Sequence, residues 1–189
     1  MASGSGSPNR RGRRNVTVAK LQYTSSDATI SSCGTYRYTL SREWRLPGEL
    51  PRTAVFIGLN PSTADGLVDD PTIRRCVGFA KRLGCNRMEM LNLFAFRATE
   101  PIELQRAITV RKLNPIGPEN DRWILARCMH ADIVVACWGR LKWVFLDDRG
   151  RYVRELLRGH DVACLGLTKD GYPRHPLYLR KDRELMGYR

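Results

Sequence analysis

Asn60, Asn92 and His175 are polar side chains in places where packing alone does not call for them. Asn60 stands in Gly58-Leu59-Asn60-Pro61-Ser62, where an uncharged β-branched and aromatic run breaks into a tight polar turn. An amide has no useful basicity, so Asn60 can hold a water or read a polar edge. It can equally be a turn residue before proline. Asp65 and Asp69 follow closely and could serve as bases, whereas Asp70, just before Pro71, reads as a helix cap. Asn92 lies among apolar neighbours in Leu91-Asn92-Leu93-Phe94-Ala95-Phe96, and a buried amide there must find partners. Reading a base edge is one use for it; capping a neighbouring loop is the other.

His175 sits in a loop stiffened by Pro173 and Pro176, unlike His130 at a helix end and His160 beside a turn glycine. An imidazole can donate, accept or carry a proton near neutral pH. Arg97 and Lys169 could hold phosphate, and Phe94, Phe96 and Tyr178 could stack on a base. Phe94 and Phe96 also alternate as strand residues do, which is a core pattern.

The elements that must position these groups are legible from periodicity. Residues 53–59, 88–94, 132–137 and 162–167 read as four short buried strands. Between them, helices are expected over 70–83, 102–108, 119–130 and 147–157. The first has Ile73, Val77 and Ala80 on its apolar face and is stopped by Gly84. The third turns Trp123, Ile124, Ala126 and Cys128 or Ala131 inward. Apolar strands alternating with helices predict a three-layer α/β/α domain around a parallel four-stranded sheet. Right-handed crossovers then bring loops 58–70, 92–101 and 166–178 to one edge, where ligands of such sheets bind. Asn60, Ser62, Asp65, Asp69, Asn92, Arg97, Trp138, Lys169, Arg174, His175 and Tyr178 all fall on those loops or beside them.

Residues 17–45 are expected to add an N-terminal β-hairpin, pairing 17–23 with 35–44 across the polar stretch 25–32. Residues 1–16 read as a disordered basic tail, and 17–189 as a single α/β domain.

The chain carries 32 Lys and Arg against 19 Asp and Glu, a net charge of +13, four of which come from Arg10, Arg11, Arg13 and Arg14. That field favours a polyanion, nucleic acid before an anionic membrane, unless it is only a solvated surface. Six scattered cysteines show no C-x-x-C spacing, so neither a metal site nor a cofactor is expected. Cys76, Cys128, Cys137 and Cys164 lie in apolar segments as small buried side chains. With no apolar leader and no run long enough to span a bilayer, the sequence reads as soluble and cytoplasmic, with no membrane partner.

The order of motifs then resembles known proteins. Gly58-Leu59-Asn60-Pro61-Ser62, Asn92-Leu93-Phe94-Ala95-Phe96-Arg97-Ala98-Thr99, the third strand ending at Trp138-Gly139, and His175-Pro176-Leu177-Tyr178-Leu179 resemble the uracil-DNA glycosylase superfamily. Over residues 36–188 the chain resembles domain-of-unknown-function family 1643. The glycosylase resemblance implies a fold of that type and hydrolysis of a nucleobase–sugar bond in DNA, with modified bases included, in repair or modification. It implies that Asn60 positions the attacking water, Asn92 reads the base edge and His175 stabilises the departing base anion. Asp65 is the added catalytic candidate; Gly58, Pro61, Ser62, Phe94, Arg97, Lys169 and Tyr178 are the further substrate-binding candidates. The chain departs from the superfamily at Leu177, where the motif has serine, and in lacking an iron–sulfur cysteine pattern. Its segments 119–123 and 168–171 look particular to the family. Two other functions fit the same residues: a non-catalytic nucleic-acid-binding module, and an enzyme acting on free nucleotides or nucleosides.

Overall fold

The structure is a computed structural model and describes residues 23–62, 64–110, 112–140 and 144–188. In chain order the elements are β1 (Ser25–Ile30), β2 (Arg37–Glu43), β3 (Thr53–Gly58), α1 (Pro71–Arg82), β4 (Arg87–Asn92), α2 (Pro101–Thr109), α3 (Asn120–Cys128), β5 (Ile133–Ala136), α4 (Val144–Leu156), β6 (Val162–Cys164) and β7 (Met186–Gly187), with a one-turn 3₁₀ helix at Pro176–Tyr178. The strands form one mixed sheet of seven in the order β1-β2-β4-β3-β5-β6-β7. Its core, β4-β3-β5-β6, is parallel as the apolar runs predict.

Strand β3 shows why the sheet needs covering on both sides. Val55 and Ile57 face a core shared with Leu104 and Ala107 of α2, Ile124 and Cys128 of α3, and Val153 of α4. Ala54 and Phe56 face the other core, with Ile73, Cys76, Val77, Phe79 and Ala80 of α1. A fully buried side chain of Phe or Ile size contributes ~1.5–3 kcal/mol, so neither face can be left to water. Helix α1 begins as read: the Asp70 carboxylate accepts from the Ile73 amide at 2.8 Å, and Pro71 is its first residue. It ends at Gly84, whose φ of +74° closes the last turn.

The hairpin exists but is shifted in sequence. Its first strand is Ser25–Ile30, the stretch read as the polar connection, and residues 17–22 lie outside the described residues. An edge strand with an exposed face needs no apolar alternation. Here the pair is reinforced by a cross-strand bond from Thr39 Oγ1 to Thr29 Oγ1 at 2.9 Å. The hairpin is not an appendage either, because β2 pairs antiparallel with β4 and extends the main sheet. On the other edge β7, unforeseen in the sequence, pairs antiparallel with β6. In α3 the inward face differs from expectation: Ala126 is exposed and Asn120 is fully buried. No helix among the described residues is long and apolar enough to cross a membrane.

Candidate functional site

A cleft of about 580 Å³ opens at the carboxyl ends of β3, β4 and β5. The loop after β3 supplies Asn60 and Ser62, the end of β4 supplies Asn92, and the segment after β6 supplies Arg174, His175 and Tyr178. Trp138 and Gly139 close the side beyond β5, and Asp70, Thr72 and Ile73 bring the start of α1 to the wall.

Asn60 is oriented by its own donors. Nδ2 donates to the carbonyls of Pro61 at 3.0 Å and Ala98 at 2.8 Å, which ties the loop after β3 to the loop after β4. The acceptor Oδ1 is then what this amide offers a ligand or water.

Asn92 is oriented by Arg37, a residue the sequence reading passed over. The Arg37 side chain is buried in the cleft floor, donating from Nη1 to the Ala64 carbonyl at 2.7 Å and from Nη2 to Asn92 Oδ1 at 3.3 Å. A guanidinium has donors only, so the amide atom turned toward it must be Oδ1. Asn92 Nδ2 consequently rests over Gly58, where an added Cβ would stand 2.9 Å away. The glycine at the end of β3 thus makes room for a donor in the cleft floor. Arg37 Nε has no partner, and no carboxylate lies within ion-pair distance of the guanidinium among the described residues. Burial holds its pKa down to about 10, with Asp70 pulling the other way.

The end of β4 is braced from behind. Asn120, fully buried at the start of α3, donates from Nδ2 to the carbonyls of Asn92 at 3.0 Å and Leu93 at 3.1 Å. Arg149 of α4 adds a bond from Nε to the Leu93 carbonyl at 2.9 Å. Asn120 belongs to segment 119–123, singled out in the sequence but without a role there.

His175 caps the 3₁₀ turn: its Nδ1 accepts from the Leu177 amide at a long 3.4 Å. In the neutral ring that leaves the proton on Nε2, a donor. Burial pushes the His175 pKa below its ordinary value, and Asp70 pulls it upward. Tyr178 is 78% exposed at the rim, its ring centroid 5.7 Å from that of His175. Arg140, on the cleft wall, pairs with Asp170 at 2.7 Å.

The remaining candidates fall beside the cleft. Asp65 does not line it; its Oδ1 accepts from the amides of Leu67 and Val68, which lowers its pKa. Asp69 is paired with Arg42 at 2.7 Å. Phe94 packs in the core at 2% exposure, and Pro61 is buried behind the loop. Arg97 donates to the Gly34 carbonyl at 3.2 Å. Lys169 is exposed, and its neighbour Thr168 is the residue that lines the wall. Arg37 carries no local signal in the sequence, and Asn120 stands out there only as part of segment 119–123.

The fold and the position of the cleft define an α/β protein with a ligand site at the carboxyl edge of its parallel strands. A family model described as "Protein of unknown function (DUF1643)" matches residues 37–177, and the chain belongs to that family. No curated protein and no solved structure matches it.

Proposed function

We propose that the protein is an N-glycosylase-like enzyme that hydrolyses a nucleobase–sugar bond in DNA. The observation that carries this reading is the convergence of Asn60, Asn92 and His175, from three separate segments of the chain, on one cleft. Breaking an N-glycosidic bond leaves an oxocarbenium-like sugar and an anionic base. An active site for it must stabilise the anion and hold a weak nucleophile, more than supply a strong base.

Each residue has a part consistent with its geometry. Asn60 Oδ1 accepts a hydrogen bond from the attacking water, whose oxygen forms the new bond to the anomeric carbon. The glycosidic electron pair leaves with the base, and His175 Nε2–H donates to that base as its charge grows. The water's proton passes to Asp70, the carboxylate among the lining residues, and onward to solvent. Asn92 Nδ2 donates to an acceptor on the base edge, its orientation fixed by Arg37. Tyr178 offers an exposed face on which a base can stack, which Phe94, buried in the core, does not.

A second reading is favoured by Arg37 itself. A buried cation with no carboxylate partner among the described residues suits an anionic group, as on a free nucleotide held with its phosphate inward. The experiment that separates them is an incision assay. Labelled oligonucleotides carrying uracil, mismatched thymine, hypoxanthine or modified pyrimidines are incubated with the protein, then cleaved with alkali at abasic sites. A product band that disappears in Asn60→Ala or His175→Ala supports excision. No band, with turnover of a mononucleotide instead, replaces it with the second reading.

A further inference from the structure

His175 stands on a turn too short to hold itself. The 3₁₀ turn Pro176–Tyr178 is closed by two long backbone bonds, from the Tyr178 amide to the His175 carbonyl and from the Leu179 amide to the Pro176 carbonyl, both 3.2 Å. The cap on His175 Nδ1 is longer still, at 3.4 Å. A single turn of i→i+3 geometry has little stability of its own. Its two ends are seated on α1: Pro176 is buried, and Leu179 packs in the same core as Phe79. Leu177 and Tyr178, between them, are exposed.

Arg75, on α1, grips both ends of that turn. Its Nε donates to the Pro176 carbonyl at 3.3 Å, and its Nη2 donates to the Leu179 carbonyl. The guanidinium is itself steadied over the Phe79 ring, 5.5 Å from the centroid and four residues along the same helix. No carboxylate pairs with Arg75 among the described residues, so its charge is directed at these two carbonyls. Hydrogen bonds from a charged donor are roughly twice as strong as neutral ones. A planar fork also meets two fixed carbonyls at once, which the point charge of a lysine does less well.

The turn sets more than the place of the imidazole. The Leu177 amide keeps Nδ1 an acceptor, and that puts the ring proton on Nε2. The start of α1 lines the cleft through Asp70, Thr72 and Ile73, whereas Arg75 does not reach it. We infer that Arg75 is a positioning residue, which holds His175 at the cleft in its donor tautomer by clamping the turn that carries it. One helix then fixes both the Asp70 carboxylate and the imidazole. The inference rests on the reading of His175 as donor to the departing base and adds what keeps it in that state.

The test is nitrogen-15 NMR of the imidazoles in the full chain, which has three histidines; the signal missing from His175→Ala assigns the ring. The wild-type protein is expected to show His175 as one neutral tautomer, protonated on Nε2. In Arg75→Ala the two tautomers mix, and the ring titrates closer to its ordinary value of ~6.5. In the excision assay, kcat for that variant is expected to fall about a hundredfold with KM changed less than about threefold, as for a ~1 Å misplacement. Arg75→Lys keeps the stem and the charge, shows a smaller change of the same sign, and stands in if the shorter side chain does not fold. Arg82→Ala is the control, because Arg82 on the same helix donates to the Arg183 carbonyl at 2.7 Å, farther along the same segment. His175 is expected to be unaltered there. An unaltered tautomer and titration in Arg75→Ala overturns the inference, as does an equal change in Arg82→Ala, which would make the effect a general loosening. A tautomer change without base excision by the wild-type protein removes the enzymatic reading and leaves the clamp; excision at full rate in Arg75→Ala does the reverse.

Discussion

Asn120→Asp tests the brace behind the cleft. The wild-type amide donates to two backbone carbonyls, those of Asn92 and Leu93, and is fully buried. Aspartate has nearly the same shape, but an ionised carboxylate would aim negative oxygen at both acceptors. To keep its place it must carry a proton. Protonating at pH 7 a group whose unfolded pKa is ~3.9 costs about 4 kcal/mol, at 1.36 kcal/mol per pH unit. The acid then has one O–H for two carbonyls, so one bond worth ~1 kcal/mol is lost as well. The sum, about 5 kcal/mol, is comparable to the whole stability of many domains. At pH 5 the protonation cost shrinks to about 1.5 kcal/mol. The variant's folded-state pKa is raised, so the folded form binds more protons than the unfolded. Its stability relative to wild type is therefore best at acid pH and declines as pH rises above the unfolded value. Urea denaturation of both proteins at pH 5 and pH 7, followed by tryptophan fluorescence, reads the difference. Asn120→Ala is the control, with a pH-independent loss of ~1–3 kcal/mol for the carbonyls it deprives of a donor. A deficit in Asn120→Asp that is equal at the two pH values, or below about 1 kcal/mol at pH 7, would refute the assignment.

Gly58→Ala places a methyl 2.9 Å from Asn92 Nδ2 and 3.3 Å from Met90 Cε. Asn92 must turn away, so ligand affinity in the cleft is expected to fall at least tenfold for a stability loss of ~1–3 kcal/mol; calorimetric titration with a nucleoside checks it, and unchanged affinity counts against the Asn92 geometry. His175 has its pKa pushed down by burial, so it is neutral through neutral pH and protonates only below its ordinary range. The pH–rate profile of base excision should fall on an acid limb below that range, and an acid limb at or above it would show that His175 is not the group titrating. The exposed Cys33 thiol is brought down to about 7 by hydrogen bonds with Ser31 and Thr35, whereas Cys128, in the core, is pushed up to about 12. Iodoacetamide at neutral pH should label one thiol per folded chain, and mass spectrometry finding Cys76, Cys85, Cys128, Cys137 or Cys164 labelled would contradict their burial.

What the sequence disclosed follows from which forces act locally. The β3 run from Thr53 to Gly58 is apolar on both faces, and only a central strand wants that. Asp70 and Pro71 are a chemical signature of a helix start that holds whatever packs around it. From those strands and helices, the meeting of the Asn60, Asn92 and His175 loops follows by topology. Direction within a loop does not: Phe94 and Arg97 leave the strand beside Asn92, yet one turns into the core and the other toward Gly34. Nor does an edge strand announce itself, because Ser25–Ile30 needs only backbone pairing and one Thr–Thr bond. Arg37 was hardest to see. Its partner Asn92 is 55 residues away, and only the pairing of β2 with β4 brings them together.

That pairing changes what the hairpin is for. Arg37 and Arg42, at the two ends of β2, are both buried, and both hold the loop between β3 and α1. Arg37 reaches the Ala64 carbonyl, while Arg42 takes the Asp65 carbonyl at 2.6 Å and the Asp69 carboxylate at 2.7 Å. Tyr23 closes the same clamp by donating its hydroxyl to Asp69. The loop carrying Asn60 is thus fixed at three kinds of point: by Asn60 itself to Ala98, by the β2 arginines along its length, and by the Asp70 cap where α1 begins. A loop anchored so closely is stiffer than its glycine and proline content suggests. It can present Asn60 Oδ1 at a constant distance from Asn92 Nδ2, because Arg37 touches both the loop and Asn92. The two amides of the cleft are therefore set by one cation, and the hairpin that supplies it belongs to the site as much as the parallel strands do.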